Sequence, residues 1–300
     1  MKTTLTDQIK PVSGAKARLI GGHLSAAGGV DKAVERAAAI GGNCVQVFSA
    51  SPRSWRRSEL ADLPVKKIWQ AQQDQRVAPI ITHAMYLINL ASPKKDQLEK
   101  SRQVIAYDLE FDAKLAGGGV VVHLGSHLGA GWEAVRDQVA TLISELLASA
   151  PLEATFLIEN SAGQKGKLSS DLAEIRWLLD QIDRPNLGWC LDTCHAFAAG
   201  YSLGEAAPKA ATKPILAEAI GAERLWESLR VIHVNDSRDP FDSGRDRHAN
   251  IGDGEIPIED LAHFLNLPAS ATVPIITEAP GIDGQGPDRE NLERIKRILK

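Results

Sequence analysis

The feature that most constrains the fold is an alternation of eight short apolar runs with helix-like runs along the 300 residues. Each apolar run is nearly continuous, which is typical of a strand buried on both faces of a parallel sheet. Between the runs, apolar residues recur at helical spacing, as at Val135, Val139 and Leu142. The predicted strands are residues 19–23, 44–48, 79–83, 119–123, 155–159, 187–192, 230–233 and 273–278.

Eight successive strand–helix units predict an α/β fold, a (β/α)8 TIM barrel formed as a single domain by residues 18–300. The competing fold is a doubly wound open sheet. It is disfavoured because no glycine-rich phosphate motif opens a helix after the first strand, where Gly21 and Gly22 precede His23. Residues 1–17 begin with a polar stretch that lacks the apolar core of a secretory signal. We expect these residues to form a flexible N-terminal tail.

Composition narrows the possible compartments and partners. No apolar stretch approaches the roughly 20 residues that a membrane span needs, so no membrane partner is expected. The 3 cysteines are sparse and odd in number, which favours reduced thiols in the cytoplasm over disulfides. Cys190 and Cys194 could bind a metal, but a single pair is a weak signal. The net charge of −4 does not by itself indicate nucleic acid, and bound divalent cations would offset it.

Seven of the eight predicted strands end on a side chain that can bind a metal ion. The carboxyl ends of barrel strands meet at one mouth, so we expect these side chains to lie together. A single buried histidine is more often structural, but burying the whole set uncompensated would cost several kcal/mol per unpaired charge. Divalent cations remove that cost. The strand-end residues are His23, His83, His123, Glu159, Asp192, His233 and Glu278.

Further donors lie in loops. His195 follows Asp192 by three residues, and Asp246 and His248 point the same way if their segment is extended. The alternative for that last pair is a solvated polar loop. With one bridging carboxylate, nine donors suit two or three ions, and imidazole with carboxylate favours Zn²⁺, with Mn²⁺ or Fe²⁺ as alternatives at some positions. Such clusters suit in-line displacement at phosphorus and need no organic cofactor. The nine are His83, His123, Glu159, Asp192, His195, His233, Asp246, His248 and Glu278.

Several sequence blocks carry a family resemblance that covers nearly all of residues 18–299. With these blocks the chain resembles the endonuclease IV family of abasic-site endonucleases. It departs from the family's usual pattern at Leu124, where proline is common, and at residues 49–52. His23 and His127 are expected to support the site without binding metal. The blocks are GHLSAAGG at 22–29, YLINL at 86–90, IENSAGQ at 158–164, LDTCHAFAAGY at 191–201, HVND at 233–236 and DRH at 246–248.

The resemblance implies a zinc-dependent hydrolase of base excision repair. Such an enzyme cuts the phosphodiester 5′ to an abasic site in duplex DNA, leaves a 3′-hydroxyl and trims blocked 3′ ends. It implies three ions, with Glu159 as the catalytic carboxylate bridging two of them while hydroxide attacks phosphorus. The implied ligand sets are His83, His123 and Glu159; then Glu159, Asp192, His233 and Glu278; then His195, Asp246 and His248.

The same resemblance assigns DNA contacts to two loops. Arg53 and Trp55 correspond to a segment that enters a groove of the duplex, and Tyr86 with Leu87 corresponds to a wedge in the base stack. Insertion of side chains beside a missing base is physically reasonable, because the unstacking cost is lower there. The alternatives are a solvated charge run for Arg53 and core packing for Tyr86 and Leu87.

Two rival functions remain open from the sequence. A sugar isomerase or epimerase on the same kind of barrel would use fewer ligands and leave Asp246 and His248 without a role. A non-catalytic binder of damaged DNA would keep metals only for folding. Nicking of abasic duplex DNA would distinguish the nuclease from both. Nothing in the sequence specifies an oligomer, so a monomer is expected.

Overall fold

The computed structural model describes residues 18–164, 166–206, 208 and 211–300, and the predicted tail at residues 1–17 lies outside them. Eight parallel strands pair in chain order until the last meets the first, so the predicted single-domain barrel is confirmed. Ile275 of the last strand pairs with Ile20 of the first and closes the ring. The strands are β1 (Ile20–His23), β2 (Cys44–Phe48), β3 (Ile80–His83), β4 (Val120–Val122), β5 (Phe156–Glu159), β6 (Leu187–Asp192), β7 (Leu229–His233) and β8 (Ile275–Thr277).

Most helices cover the outside of the barrel and bury one face each, whereas the short helix after β6 is buried at all six of its positions. In the helix after β4, Val135, Val139 and Ile143 are buried at helical spacing, whereas Leu142, which was predicted to face the core, is only partly buried. Among the described residues, no helix is both long and apolar enough to cross a membrane. The helices are α1 (Val30–Ala39), α2 (Val65–Gln75), α3 (Lys95–Lys114), α4 (Trp132–Ser149), α5 (Leu172–Ile182), α6 (Thr193–Ala198), α7 (Leu216–Ala222), α8 (Ile258–Leu265) and α9 (Arg289–Ile298), with short 3₁₀ turns at Leu60–Asp62 and Trp226–Ser228.

One layer of side chains, which we call the inner layer, fills the barrel below its mouth. Strand β1 contributes Gly21 at this level, where a Cβ would lie 2.0 Å from the carbonyl oxygen of Cys44, so only glycine fits. Because side chains alternate along a strand, residues two positions beyond the inner layer again face the interior, now at the mouth. The other members of the layer are Cys44, Ile81, Val121, Leu157, Cys190, Val231 and Ile276, one from each of β2 to β8.

Candidate metal centre

The pleat of the strands delivers a ring of polar side chains into the barrel mouth. Each lies two residues beyond the inner layer on its own strand, and each is buried or half-buried. All seven predicted strand-end residues belong to this ring, together with Gln46, which the sequence analysis did not single out. The ring consists of His23, Gln46, His83, His123, Glu159, Asp192, His233 and Glu278.

The first group of donors in the ring is His83, His123 and Glu159, whose ligand atoms all lie within 4.8 Å of one another. Glu159 Oε2 lies 3.3 Å from His83 Nε2 and 3.2 Å from His123 Nε2. His83 Nδ1 donates to the carbonyl oxygen of Ala84 at 2.6 Å, so a neutral His83 presents a lone pair to the carboxylate. Within the described part of the chain, the buried Glu159 Oε2 has no hydrogen-bond partner. A cation between these atoms would satisfy all of them.

The second group is Glu159, Asp192, His233 and Glu278, and it uses the other oxygen of Glu159. His233 Nδ1 lies 3.1 Å from Glu159 Oε1 and 3.5 Å from Glu278 Oε2. His233 Nε2 donates to Gln46 Oε1 at 2.8 Å, while the Gln46 amide nitrogen donates to Glu278 Oε1 at 3.0 Å. A neutral His233 therefore also turns a lone pair towards carboxylates. Glu159 thus faces both groups with one oxygen each, as a bridging ligand must.

The third group, His195, Asp246 and His248, includes two loop residues that a short antiparallel ladder brings to the mouth. Strand residues Asp236–Ser237 pair with His248–Ala249 in this ladder. Asp246 Oδ1 lies 3.1 Å from His195 Nε2 and 3.3 Å from His248 Nε2. Both imidazole nitrogens are buried, and neither has a hydrogen-bond partner among the residues that the structure describes. This pattern again fits a cation between the three side chains.

Burial and charge oppose each other within the cluster. Burial favours the neutral form of Glu159, but His123 and His233 outweigh it and hold the pKa of Glu159 well below its usual range. Burial lowers the pKa of His123 to about 4. Burial also disfavours charge on His195, yet Asp192 and Asp246 raise the pKa of His195 well above its usual value. The carboxylates therefore stay ionised and require positive charge, which imidazolium protons or metal cations can supply.

Three residues with amide side chains orient the donors. Asn235 Nδ2 donates to Asp192 Oδ2 at 2.6 Å, and Asn235 Oδ1 accepts from the Glu278 backbone at 2.7 Å. The backbone carbonyl oxygen of Asn160 accepts from His195 Nδ1 at 2.9 Å, which directs Nε2 towards Asp246. Gln46 orients His233 as described above. The available sequence signals were a polar residue within the apolar run of β2 and an asparagine directly after Glu159.

The remaining histidines and cysteines near the mouth take other positions. His23 Nδ1 contacts Glu278 Oε1 at 2.7 Å, outside the three groups. His127 Nδ1 accepts from two glycine backbones in its own loop. Cys194 lies near Asp192 and His248 in a fourth possible donor group, whereas Cys190 belongs to the inner layer. Burial raises the pKa of Cys190 to about 12, so this thiol stays protonated.

The predicted DNA-contact residues differ in their exposure. Tyr86 is 59% exposed and Leu87 is 42% exposed, so the alternative of core packing does not hold for them. The Tyr86 ring lies against Phe48, with 5.3 Å between ring centres. Arg53 is exposed, whereas Trp55 is half-buried against the core. A cavity of about 750 Å³ opens beside them at the mouth; its lining includes His23, Phe48, Tyr86, His248 and Glu278.

Comparison with known proteins agrees with the barrel fold and shows the family. The family described as xylose isomerase-like TIM barrel matches residues 34–298. The probable endonuclease 4 of Natronomonas pharaonis is 37% identical over 281 residues, which are 94% of this chain and 98% of that protein. The probable endonuclease 4 of Halothermothrix orenii is 33% identical, with 93% of this chain and 99% of that protein covered.

Two solved structures with similar folds are an endonuclease IV and an epimerase-like protein. The crystal structure of endonuclease IV from Thermus thermophilus is similar with a TM-score of 0.79 and 33% sequence identity, over 93% of this chain and 98% of that one. A D-tagatose 3-epimerase-like protein is similar with a TM-score of 0.69, over 93% of this chain and 96% of that one. At 18% identity, this second likeness shows the fold alone.

Proposed function

We propose that this chain, which belongs to the endonuclease IV family of DNA-repair endonucleases, hydrolyses the phosphodiester on the 5′ side of abasic sites in duplex DNA. The product would carry a 3′-hydroxyl. The same site would also remove blocking groups from 3′ ends, because both reactions are hydrolyses of a phosphate ester at a deoxyribose. The enzyme is expected to act as a monomer.

One observation carries the proposal: three groups of donors share a single mouth, and three buried donor atoms in them have no hydrogen-bond partner among the described residues. These atoms are Glu159 Oε2, His195 Nε2 and His248 Nε2. Five imidazoles and four carboxylates favour Zn²⁺ in all three groups, with Mn²⁺ or Fe²⁺ as alternatives at some positions. Divalent cations bound there supply Lewis acidity to the phosphate, the attacking water and the leaving oxygen. Glu159 holds its two oxygens towards different groups, and Asn160 and Gln46 fix the imidazole orientations. We therefore assign Glu159 as the central catalytic carboxylate.

Recognition of the damaged duplex is assigned to the two exposed loops beside the site. Tyr86 and Leu87 present apolar surface at the rim of the mouth, which suits insertion where a base is missing. Arg53 supplies an exposed positive charge for backbone phosphate, and the half-buried Trp55 supports that loop. The cavity beside Tyr86 provides space for an extrahelical sugar.

The decisive experiment is a nicking assay on a duplex with one abasic site, combined with metal analysis of the purified protein. We expect a single cut 5′ to the abasic site, and loss of about 100-fold or more of the rate in Glu159→Gln. The His263→Asn variant is the matched control, because His263 lies on α8 and pairs with Glu205 at 3.4 Å, away from the mouth. An uncut abasic duplex would refute the proposal and favour the isomerase or the non-catalytic binder.

The trimming activity needs a separate substrate. A nicked duplex with a 3′-phosphate at the nick should be converted to a 3′-hydroxyl, which a DNA polymerase then extends. Glu159→Gln should lose this conversion together with nicking, since both are assigned to the same carboxylate. A variant that loses one reaction and keeps the other would contradict a shared site.

A further inference from the structure

Asp108 is a buried carboxylate on α3 that lies outside the three donor groups. Its Oδ1 accepts a hydrogen bond from Ser49 Oγ at 2.5 Å. Its Oδ2 is buried and has no hydrogen-bond partner within the described ranges of the chain. Burial, partly offset by Ser49 and Arg57, raises the pKa of Asp108 to about 7. A buried carboxylate with an unpartnered oxygen lowers the stability of the fold. The presence of Asp108 at this position therefore suggests a functional role.

Arg57 connects this carboxylate to both predicted DNA-contact loops. Its Nε lies 3.9 Å from Asp108 Oδ1, and only 10% of its side chain is exposed. Its Nη1 donates to the carbonyl oxygen of Ser54 at 2.8 Å, within the loop after β2. Its Nη2 contacts Met85 Sδ at 3.2 Å, in the loop after β3. The guanidinium also lies over the Tyr107 ring, 5.9 Å from its centre.

Through these contacts, Asp108 and Arg57 are connected to both predicted DNA-contact loops. Ser49 and Arg57 bracket the segment that presents Arg53 and Trp55. Met85 directly precedes Tyr86 and Leu87 in the chain. A shift of Asp108 or Arg57 would therefore displace both DNA-contact loops together. Displacements of about 1 Å are large enough to impair the productive geometry of a bound substrate.

We propose that Asp108 is a positioning residue for damage recognition, which through Ser49 and Arg57 holds the two DNA-contact loops in one fixed relative arrangement. This inference rests on the proposed nuclease function and deepens it. It separates recognition from chemistry, because the side-chain contacts of Asp108 are with Ser49 and Arg57 and not with members of the donor groups. Its removal should weaken discrimination between abasic and intact duplex more than it slows the cut.

The test compares Asp108→Asn with Asp112→Asn in the metal-loaded protein. Asp112 is the matched control: it lies one turn further along α3 and is also buried, but it binds Thr82 Oγ1 at 2.7 Å and the Gly119 backbone at 3.0 Å. For Asp108→Asn we expect KM for abasic duplex to rise about tenfold. The inhibition constant of intact duplex, kcat and metal content should stay within about twofold of the wild-type values. For Asp112→Asn all four should stay near wild type.

A second pair of variants covers the case in which Asp108→Asn folds poorly. Ser49→Ala and Arg57→Gln each remove one link of the same network, and both should raise KM for abasic duplex without changing metal content. Unchanged discrimination in Asp108→Asn, or equal losses in Asp112→Asn, would overturn the inference while nicking by the wild type still supported the proposed function. A wild type that does not nick would instead remove the proposed function itself.

Discussion

At the scale of single residues, the third donor group depends on a side chain that does not belong to it. Arg247 stands between Asp246 and His248 in the chain, but its side chain contacts Asp239 and does not belong to the donor group. Its Nε donates to Asp239 Oδ2 at 2.6 Å, and its Nη2 donates to the other oxygen of the same carboxylate. The side chain of Asp239 is 3% exposed, so this two-point contact fixes the backbone that carries both donors.

Removing this contact should weaken metal binding by the third donor group and leave binding by the first and second groups unchanged. We expect Asp239→Ala to lower affinity for an ion in the third group by about 10- to 100-fold, as loss of an orienting residue does at other metal sites. Metal analysis after dialysis against a moderate chelator would then give about one ion fewer per chain. Asp253→Ala is the control, because Asp253 pairs with Arg294 at 2.7 Å elsewhere in the same loop region. Equal metal content in both variants would contradict the role of Asp239.

Tyr86 offers a residue-scale test of recognition. Because its side chain is 59% exposed, Tyr86→Ala should change the free energy of unfolding by less than about 1 kcal/mol. It should nevertheless reduce the preference for abasic over intact duplex by about tenfold, the order of one lost stacking contact. Leu152→Ala is the control, since Leu152 is 93% exposed in the loop before β5. Competition binding with both duplexes measures the preference, and an unchanged ratio would rule out the wedge.

At the scale of elements, the ends of the strands could be predicted from the sequence. Each apolar run stops where the strand reaches the barrel mouth and a polar residue follows. All eight strands were predicted to within about two residues. The nine residues predicted as metal ligands lie in three groups at the mouth, and most of them are visible in the sequence as His, Asp or Glu at strand ends. The ladder that brings His248 to the mouth has only two residues per strand, too short for a periodic signal. Gln46 and Asp108 were missed because their partners, such as Glu278 and Ser49, are distant in the sequence.

Helix α3 carries a second buried carboxylate whose titration is measurable. Burial raises the pKa of Asp112 from its ordinary value of 3.8 to about 7. Between these values the folded protein retains a proton that the unfolded chain has released, so the free energy of unfolding falls as the pH rises. The full penalty of up to about 4 kcal/mol is present above pH 7, and it disappears below about pH 4.

The Asp112→Asn variant should lack this component, since an amide does not titrate. Its stability relative to wild type should increase by about 1.4 kcal/mol per pH unit between roughly pH 5 and 7, and then level off. Urea unfolding of both proteins at several pH values measures the difference. A difference that stays constant across this range would show that Asp112 is ionised at all of these pH values.

At the scale of the whole molecule, the donor groups bring together side chains from different strands of the barrel. Their members come from β3, β5, β6 and β7, from the residues directly after β4 and β8, and from α6 and the ladder loop. Bound cations would therefore cross-link six neighbouring strands at the end where buried carboxylates otherwise repel one another.

Removal of metal should consequently destabilise the entire fold. Ligands that bind only the native state stabilise it by about 2.7 kcal/mol at a hundredfold excess over Kd, and several tight ions should exceed this value. For a chain of this size we expect chelation to lower Tm by at least about 5 °C, and added Zn²⁺ to restore it. His263→Asn should behave as wild type, whereas Glu159→Gln should show a smaller difference between metal-loaded and chelated protein, because it weakens two groups at once. An unchanged Tm in a chelated sample that metal analysis shows to be empty would mean that the donor groups are stable without cations, and it would contradict a need for metal at the unpartnered buried atoms.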